Sequence, residues 1–196
     1  MRKLLALGVV VASLAAGCAA TSPYLVSRKD LQIGAAPVDK AQVVFVRPTS
    51  FAKGISVTIL DADGSYLGDS TPWSAYAVAI KPGPHTFIAW GEGTHAMKAD
   101  LAAGKTYYVE VSPVIGMWSA RFHLKAIKQS RPNWAELSDW LKKATPHEAH
   151  LEEGQRGIVD ARKNDADSTI KKGVARLAEY TPEELEVRTL APSDGS

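Results

Sequence analysis

The chain has a single cysteine, Cys18, among its 196 residues. No intramolecular disulfide can form, so stability has to come from a packed core, and the chain is long enough to bury one. Long hydrophobic runs are missing as well. The most apolar stretch, residues 4–16, falls short of the roughly 20 residues that a helix needs to cross about 30 Å of hydrocarbon. Charge of one sign is not in excess either: 23 basic residues stand against 21 acidic ones, which removes the cationic footprint of a nucleic-acid binder. The sequence contains no glycine-rich phosphate loop and no nucleophile elbow, the compact signatures of nucleotide and hydrolase chemistry. What remains is a near-neutral chain that relies on apolar burial and announces no reaction.

The features that are present begin at the N-terminus. Met1-Arg-Lys precedes the apolar run, and small residues then lead to Gly17-Cys18. That order marks residues 1–17 as a secretory signal peptide, a segment that is removed. Leu14-Ala-Ala-Gly-Cys18 resembles the lipobox of bacterial lipoproteins, departing mildly in having Ala15 three places before the cysteine. The resemblance implies a diacylglyceryl group on the Cys18 thiol and cleavage that leaves Cys18 first in the mature chain. Ordinary cleavage after Ala20, giving a soluble product, is the plainer alternative. Each buried methylene contributes about 0.8 kcal/mol, so two or three acyl chains hold where one does not. Arg2 and Lys3 leave with the signal, which brings the basic residues level with the 21 acidic ones. Ala19 is not aspartate, which by resemblance to lipoprotein sorting of enteric type implies the outer membrane, facing the periplasm.

Residues 18–40 show small residues, prolines and no sustained period, and are expected to form a lipid-anchored tether, the alternative being that Tyr24, Leu25 and Val26 pack on the domain. From residue 41 short apolar runs alternate with turn signals, the pattern of an all-β domain. Val43-Val-Phe-Val46 is a first strand. Residues 55–59 place Ile55, Val57 and Ile59 on one face, and residues 120–127 set Phe122, Leu124 and Ala126 against Arg121, His123 and Lys125. Asp63-Gly64 suits a tight hairpin, and Lys81-Pro-Gly-Pro-His85 reads as a rigid turn between two apolar runs. A parallel sheet would need crossover helices for which there is no room. The expected fold is mainly β, an antiparallel β-sandwich of seven to eight strands over residues 41–128, with a C-terminal helical extension over residues 129–190 and a disordered tail at 191–196. Trp134, Leu137, Trp140 and Leu141 mark one face of a short helix, while Thr145-Pro-His-Glu148 and Thr181-Pro-Glu-Glu184 both read as capping boxes.

Three blocks of the β region, Ala41-Gln-Val-Val-Phe-Val-Arg-Pro48, Lys81-Pro-Gly-Pro-His-Thr86 and Ala103-Gly-Lys-Thr-Tyr-Tyr-Val109, resemble in order and spacing the bacterial lipoproteins grouped as domain of unknown function family 2846. The Pro-Gly-x-His turn alone is shared with extracellular β modules of the PEGA type. The resemblance covers residues 40–128 and implies a β-sandwich on a lipid anchor. It implies no activity and supplies no catalytic residue.

His147 and His150 would share a helical face and could hold a metal, but a solvated helical turn is the expected reading, and no metal or cofactor is assigned. His95 and His123 have no nucleophile nearby in sequence, and Asp160-Ala-Arg-Lys-Asn-Asp-Ala-Asp167 lacks the glycine and terminal glutamate of a calcium loop. His85, opening a strand after the turn, is expected to be structural. The informative segment is apolar: Val114, Ile115, Met117 and Trp118 join two strands where a polar tip is usual. Either the Trp134 and Trp140 helix covers them, or they form a patch for a partner or a membrane. Trp73 and Trp90 could stack on sugar rings. The expected protein is lipid-anchored through Cys18 in the cell envelope, a non-catalytic interaction module for another envelope protein. Peptidoglycan or glycan binding is the alternative, and an envelope hydrolase stands third.

Overall fold

The run Val43-Val-Phe-Val46 lies at the centre of strand β2 (Ala41–Arg47), buried along its whole length. A strand covered on both faces reads as a continuous apolar run rather than an alternation. The computed structural model describes residues 19–115 and 120–196; Cys18, Met117 and Trp118 lie outside the described residues. β1 (Leu25–Ser27), β10 (Thr145–Ala149), β5 (Ser74–Ile80), β2, β8 (Thr106–Ile115) and β9 (Ala120–Ile127) form, in that order, a six-stranded sheet. β11 (Thr189–Leu190), β7 (Thr94–Leu101), β6 (Gly83–Trp90), β3 (Val57–Asp61) and β4 (Tyr66–Ser70) form a five-stranded one. Val43, Phe45, Phe122 and Leu124 of the first sheet and Val57, Ile59, Phe87 and Met97 of the second belong to one buried apolar cluster. The Phe45 ring lies on Tyr76 at 5.4 Å and meets the edge of Phe87 at 5.7 Å.

The mainly β reading holds, and both sheets are mixed rather than purely antiparallel. β2 pairs with β8, β10 with β5 and β11 with β7 in parallel. The argument from missing crossover helices failed because strands make the crossover: the chain leaves β2, passes through both sheets and returns as β8. Strands β5 and β6, which flank the Lys81-Pro82 turn, belong to different sheets, so this turn is a corner between sheets and not a hairpin. Gly83 takes φ 119° there, a conformation that side-chain-bearing residues rarely adopt. His85 braces the corner, its Nε2 2.7 Å from the Lys81 carbonyl and its Nδ1 2.5 Å from an Asp61 carboxylate oxygen. Its ring thus bonds both the turn and a neighbouring strand, as its position suggested.

Both ends of the described chain are tied down where the sequence suggested a tether and a disordered tail. Ala20 donates its N–H to the Lys53 carbonyl at 2.6 Å, Ser22 Oγ bonds the Asp69 carboxylate at 2.5 Å, and Leu25 is buried at the start of β1. At the other end β11 extends the five-stranded sheet, and Ser196 exchanges backbone hydrogen bonds of 2.9 and 3.0 Å with Thr106. Neither segment has a period of its own to show this, because each takes its conformation from the sheet edge or strand end it meets.

Helix α1 (Asn133–Lys143) begins just after Pro132, as expected, and lays Leu137, with Trp134, Trp140 and Leu141, over Val46, Ala75 and Ile127 on the outer face of the six-stranded sheet. α2 (Leu151–Gly154) continues into a π-helical turn at Gln155–Asp160. Gly154 lies against Tyr66 and Gly157 against Tyr24 so closely that an added Cβ would fall 2.1 Å from the Tyr66 ring in one case and 2.0 Å from the Tyr24 hydroxyl in the other. α3 (Lys163–Arg176) covers the five-stranded sheet, and α4 (Pro182–Val187) precedes β11. Thr181 and Glu184 form the expected capping box, whereas Thr145-Pro-His-Glu148 lies in strand β10, where pairing with Ser74 and with β1 outweighs a local capping preference. Thr181→Ala is expected to lower stability by about 1 kcal/mol, measured by urea unfolding; an unchanged midpoint would deny the cap its role.

Candidate functional site

Strand β2 ends at Arg47, which is fully buried. Among the described residues its guanidinium has no carboxylate partner. Nη1 donates to the Ile55 carbonyl at 2.7 Å, and Nη2 donates to the carbonyls of Phe51 at 2.9 Å and Ala52 at 2.8 Å. The same group lies over the Phe122 ring at 4.8 Å. Burial pulls the guanidinium down to about 10, so it stays charged near neutral pH. Arg47 thus gathers the carbonyls of the β2–β3 connection around one cation, and Ala52 is held at φ 53°, a left-handed conformation uncommon outside glycine. The connection is a fixed platform, and it leaves Phe51 44% exposed.

Beside this platform is an open cleft of about 420 Å³. Pro48, Thr49 and Phe51 form one wall, Glu110, Ser112 and Pro113 of β8 the floor, and Glu136 and Trp140 of α1 the other wall. The Lys125 ammonium lies 3.9 Å from Glu110 and donates to Ser112 Oγ at 2.9 Å. Glu136 has no ion-pair partner among the described residues. Two aromatic rings and two carboxylates around a shallow opening suit an apolar side chain together with a cation.

Of the patch expected from sequence, Val114 is next to this cleft, follows Pro113 on β8 and is 37% exposed. Ile115 ends β8 opposite Ala120. Met117, Trp118 and the lipid-attachment candidate Cys18 lie outside the described residues. Helix α1 packs on Val46, Ala75 and Ile127, so it leaves Val114 partly exposed. Trp90 sits beneath the Arg162 guanidinium at 4.7 Å, and Trp73 is half-buried at φ 52°. The aromatics available at the cleft are instead Phe51 and Trp140. The sequence signal for Phe51 was an aromatic set among turn residues, Pro48-Thr-Ser-Phe-Ala-Lys-Gly54.

The histidines divide differently from their sequence pattern. His147 lies in β10 with Nδ1 2.7 Å from the Thr145 carbonyl, and His150 follows that strand, so the pair shares no helical face. Among the described residues no group of three His, Cys, Asp or Glu side chains could hold a metal ion. His95 and His123, remote in sequence, meet with ring centroids 4.1 Å apart. Arg188 donates to His123 Nδ1 at 2.8 Å, the Tyr180 hydroxyl is 3.2 Å from His95 Nδ1, and the Arg188 guanidinium lies over the Tyr180 ring at 4.5 Å. Burial, reinforced by His123 and Arg176, depresses His95 to about 3; burial, reinforced by Arg188 and Lys125, depresses His123 to about 4. Both rings are neutral near pH 7, and their side-chain hydrogen-bond partners among the described residues are Tyr180 and Arg188. They latch the chain before β11 onto β7 and β9. Compared with protein-family models, curated proteins and solved structures, the chain matches none.

Proposed function

We propose that this chain is a lipid-anchored protein of the cell envelope, held in the outer membrane through Cys18, whose β-sandwich acts as a non-catalytic interaction module for another envelope protein. The resemblance to the lipoproteins of domain of unknown function family 2846 belongs to the same reading. The observation that carries it is the cleft between the β2–β3 platform and α1, with Phe51 and Trp140 as walls and Glu110 and Glu136 at its polar positions. It selects a partner segment pairing an apolar side chain with a lysine or arginine. The aromatic walls also favour the second reading, a glycan such as peptidoglycan stacked on Trp140.

A photo-reactive residue at position 49, in cells carrying an intact Cys18, tests the assignment. The expected result is one discrete protein adduct in the membrane fraction, lost on Glu136→Lys, and release of the whole protein from membranes on Cys18→Ser. An adduct indifferent to Glu136→Lys defeats the cleft as the docking site. Co-sedimentation with sacculi that depends on Trp140, with no protein adduct, transfers the function to the glycan. Membrane retention of Cys18→Ser ends the anchor reading.

A further inference from the structure

One end of the two-sheet body collects features that are scattered in sequence. Arg47 pairs with Ser74, Val57 with Ser70, Thr58 with Trp90 and Ile115 with Ala120. The β2–β3, β4–β5 and β6–β7 connections therefore emerge at the same end as the tips of β8 and β9. β8 runs on through residues 111–115 after its last β2 pair at Glu110, so Val114 projects beyond the neighbouring strand. Val114 and Phe51 are two of the five large exposed apolar side chains among the described residues. Lys53 is exposed on the platform, and exposed Arg121 stands opposite Val114. Of the acids near this end, Glu92 accepts the Ala120 N–H at 3.0 Å, Asp69 is buried and accepts from Ser22 and Thr58, Glu110 lies 3.9 Å from the Lys125 ammonium, and Glu136 lines the cleft beside Phe51.

The described chain also starts at this end. Ala20, two residues from Cys18 in sequence, is bonded to Lys53, and two residues span at most about 7 Å of chain. An acylated Cys18 therefore has no tether with which to lift the domain off the membrane. We propose that the end formed by the β2–β3 platform and the tip of β8 rests on the lipid bilayer that carries the anchor, with Val114 in the interface and Lys53 and Arg121 toward the phospholipid headgroups. Partly exposed apolar side chains flanked by cations bind such a surface through buried apolar area and headgroup attraction. The inference rests on the lipid-anchor reading and adds an orientation: the body stands end-on, with the Lys81 corner farthest away.

The test uses the mature acylated chain in vesicles of phosphatidylethanolamine and phosphatidylglycerol containing spin-labelled lipid. An environment-sensitive fluorophore is attached to a cysteine introduced by Lys53→Cys, Val114→Cys or Lys81→Cys. β5 carries the chain from Ser74 to Ile80, about 20 Å at ~3.3 Å per residue, so position 81 is well clear of the lipid. Labels at 53 and 114 are expected to lose fluorescence to the spin-labelled lipid while the label at 81 does not. Equal quenching at all three, or none at 53 and 114 while the protein floats with the vesicles, overturns the orientation and leaves the anchor standing. A protein that fails to float and takes a second fluorophore at Cys18 refutes the anchor, and the orientation with it.

Discussion

Arg47→Met is expected to cost about 4 kcal/mol of folding stability, the sum of several charge-assisted hydrogen bonds and of carbonyls left without donors. The side chain is fully buried and bonds the carbonyls of Phe51, Ala52 and Ile55. Methionine fills much of the volume and satisfies none of those oxygens. Lysine keeps the charge but cannot reach three carbonyls at once, because a single ammonium lacks the planar fork of a guanidinium. Arg47→Lys should therefore recover only part of the loss. For a chain of this size 4 kcal/mol corresponds to a fall in Tm of roughly 8–16 °C, read by circular dichroism. The β2–β3 platform should also open: the Ala20 N–H, bonded to Lys53, would lose its protection from hydrogen exchange. A Met variant within about 1 kcal/mol of the parent, on the scale of an ordinary substitution, would show that the carbonyl cluster does not depend on the cation.

Acid should unfold the protein through a second buried site. His95 is only 4% exposed, and the pair it forms with His123 is depressed to about 3 and about 4 from an ordinary 6.5. A base depressed in the folded state binds protons more readily when unfolded. The stabilisation is therefore complete above about pH 6.5 and is lost as pH falls toward 4. Each pH unit between the ordinary and the depressed value is worth about 1.4 kcal/mol for one group, and with discounting for partial solvent access the pair should forfeit on the order of 3–5 kcal/mol by pH 4. Arg188, Arg176 and Arg121 surround the pair and add repulsion once either ring charges, while Glu184 opposes it weakly. Asp69 works in the other direction, since burial pushes its carboxyl above the ordinary carboxylate range and the folded state gains relative stability when that group is protonated. The comparison that isolates the histidines is His95→Gln with His123→Asn. The doubly substituted protein should lose less stability between pH 6.5 and 4, measured by urea unfolding at each pH. Parallel curves for the two proteins would remove the pair as the cause.

Which parts of this structure could be read in advance follows from where each signal resides. β2, β3 and β9 were visible because a strand's burial is written in its own side chains: continuous for β2, alternating for Val57 and Ile59 and for Phe122, Leu124 and Ala126. β1, β10 and β11 were not, because their conformation is imposed by edges that other segments supply. Thr145 has every local reason to start a helix and instead pairs with Ser74. Whether Val114 is covered or exposed was left open by its sequence, and nothing there marked the cleft that Pro113 lines. Its walls come from residues 48–51 and from α1, and their approach depends on the outer face of the six-stranded sheet being the place where Trp134 and Leu137 find cover. The burial of Arg47 was not legible, since arginine is ordinarily exposed and nothing local marks this one as the hub of a loop. His95 and His123 meet because β7 and β9, which belong to different sheets, come into contact with His123 on the side of β9 away from Phe122 and Leu124, a proximity that no spacing encodes.

The placement of β10 has a temporal consequence. Among the described strands β1 pairs with β10 alone, with Leu25 opposite Ala149 and Ser27 opposite His147, and β10 itself pairs with the edge of β5. A chain made from its N-terminus has residues 25–27 in hand long before residues 145–149 exist. In that interval β5 presents an unpaired edge, the kind of surface on which strands from other molecules assemble. Pairings so distant along the chain also slow folding, since loop entropy is spent before the contacts repay it. The last quarter of the polypeptide is thus what closes the sheet begun by the first, and a nascent or truncated chain that stops before Ala149 carries an adhesive edge.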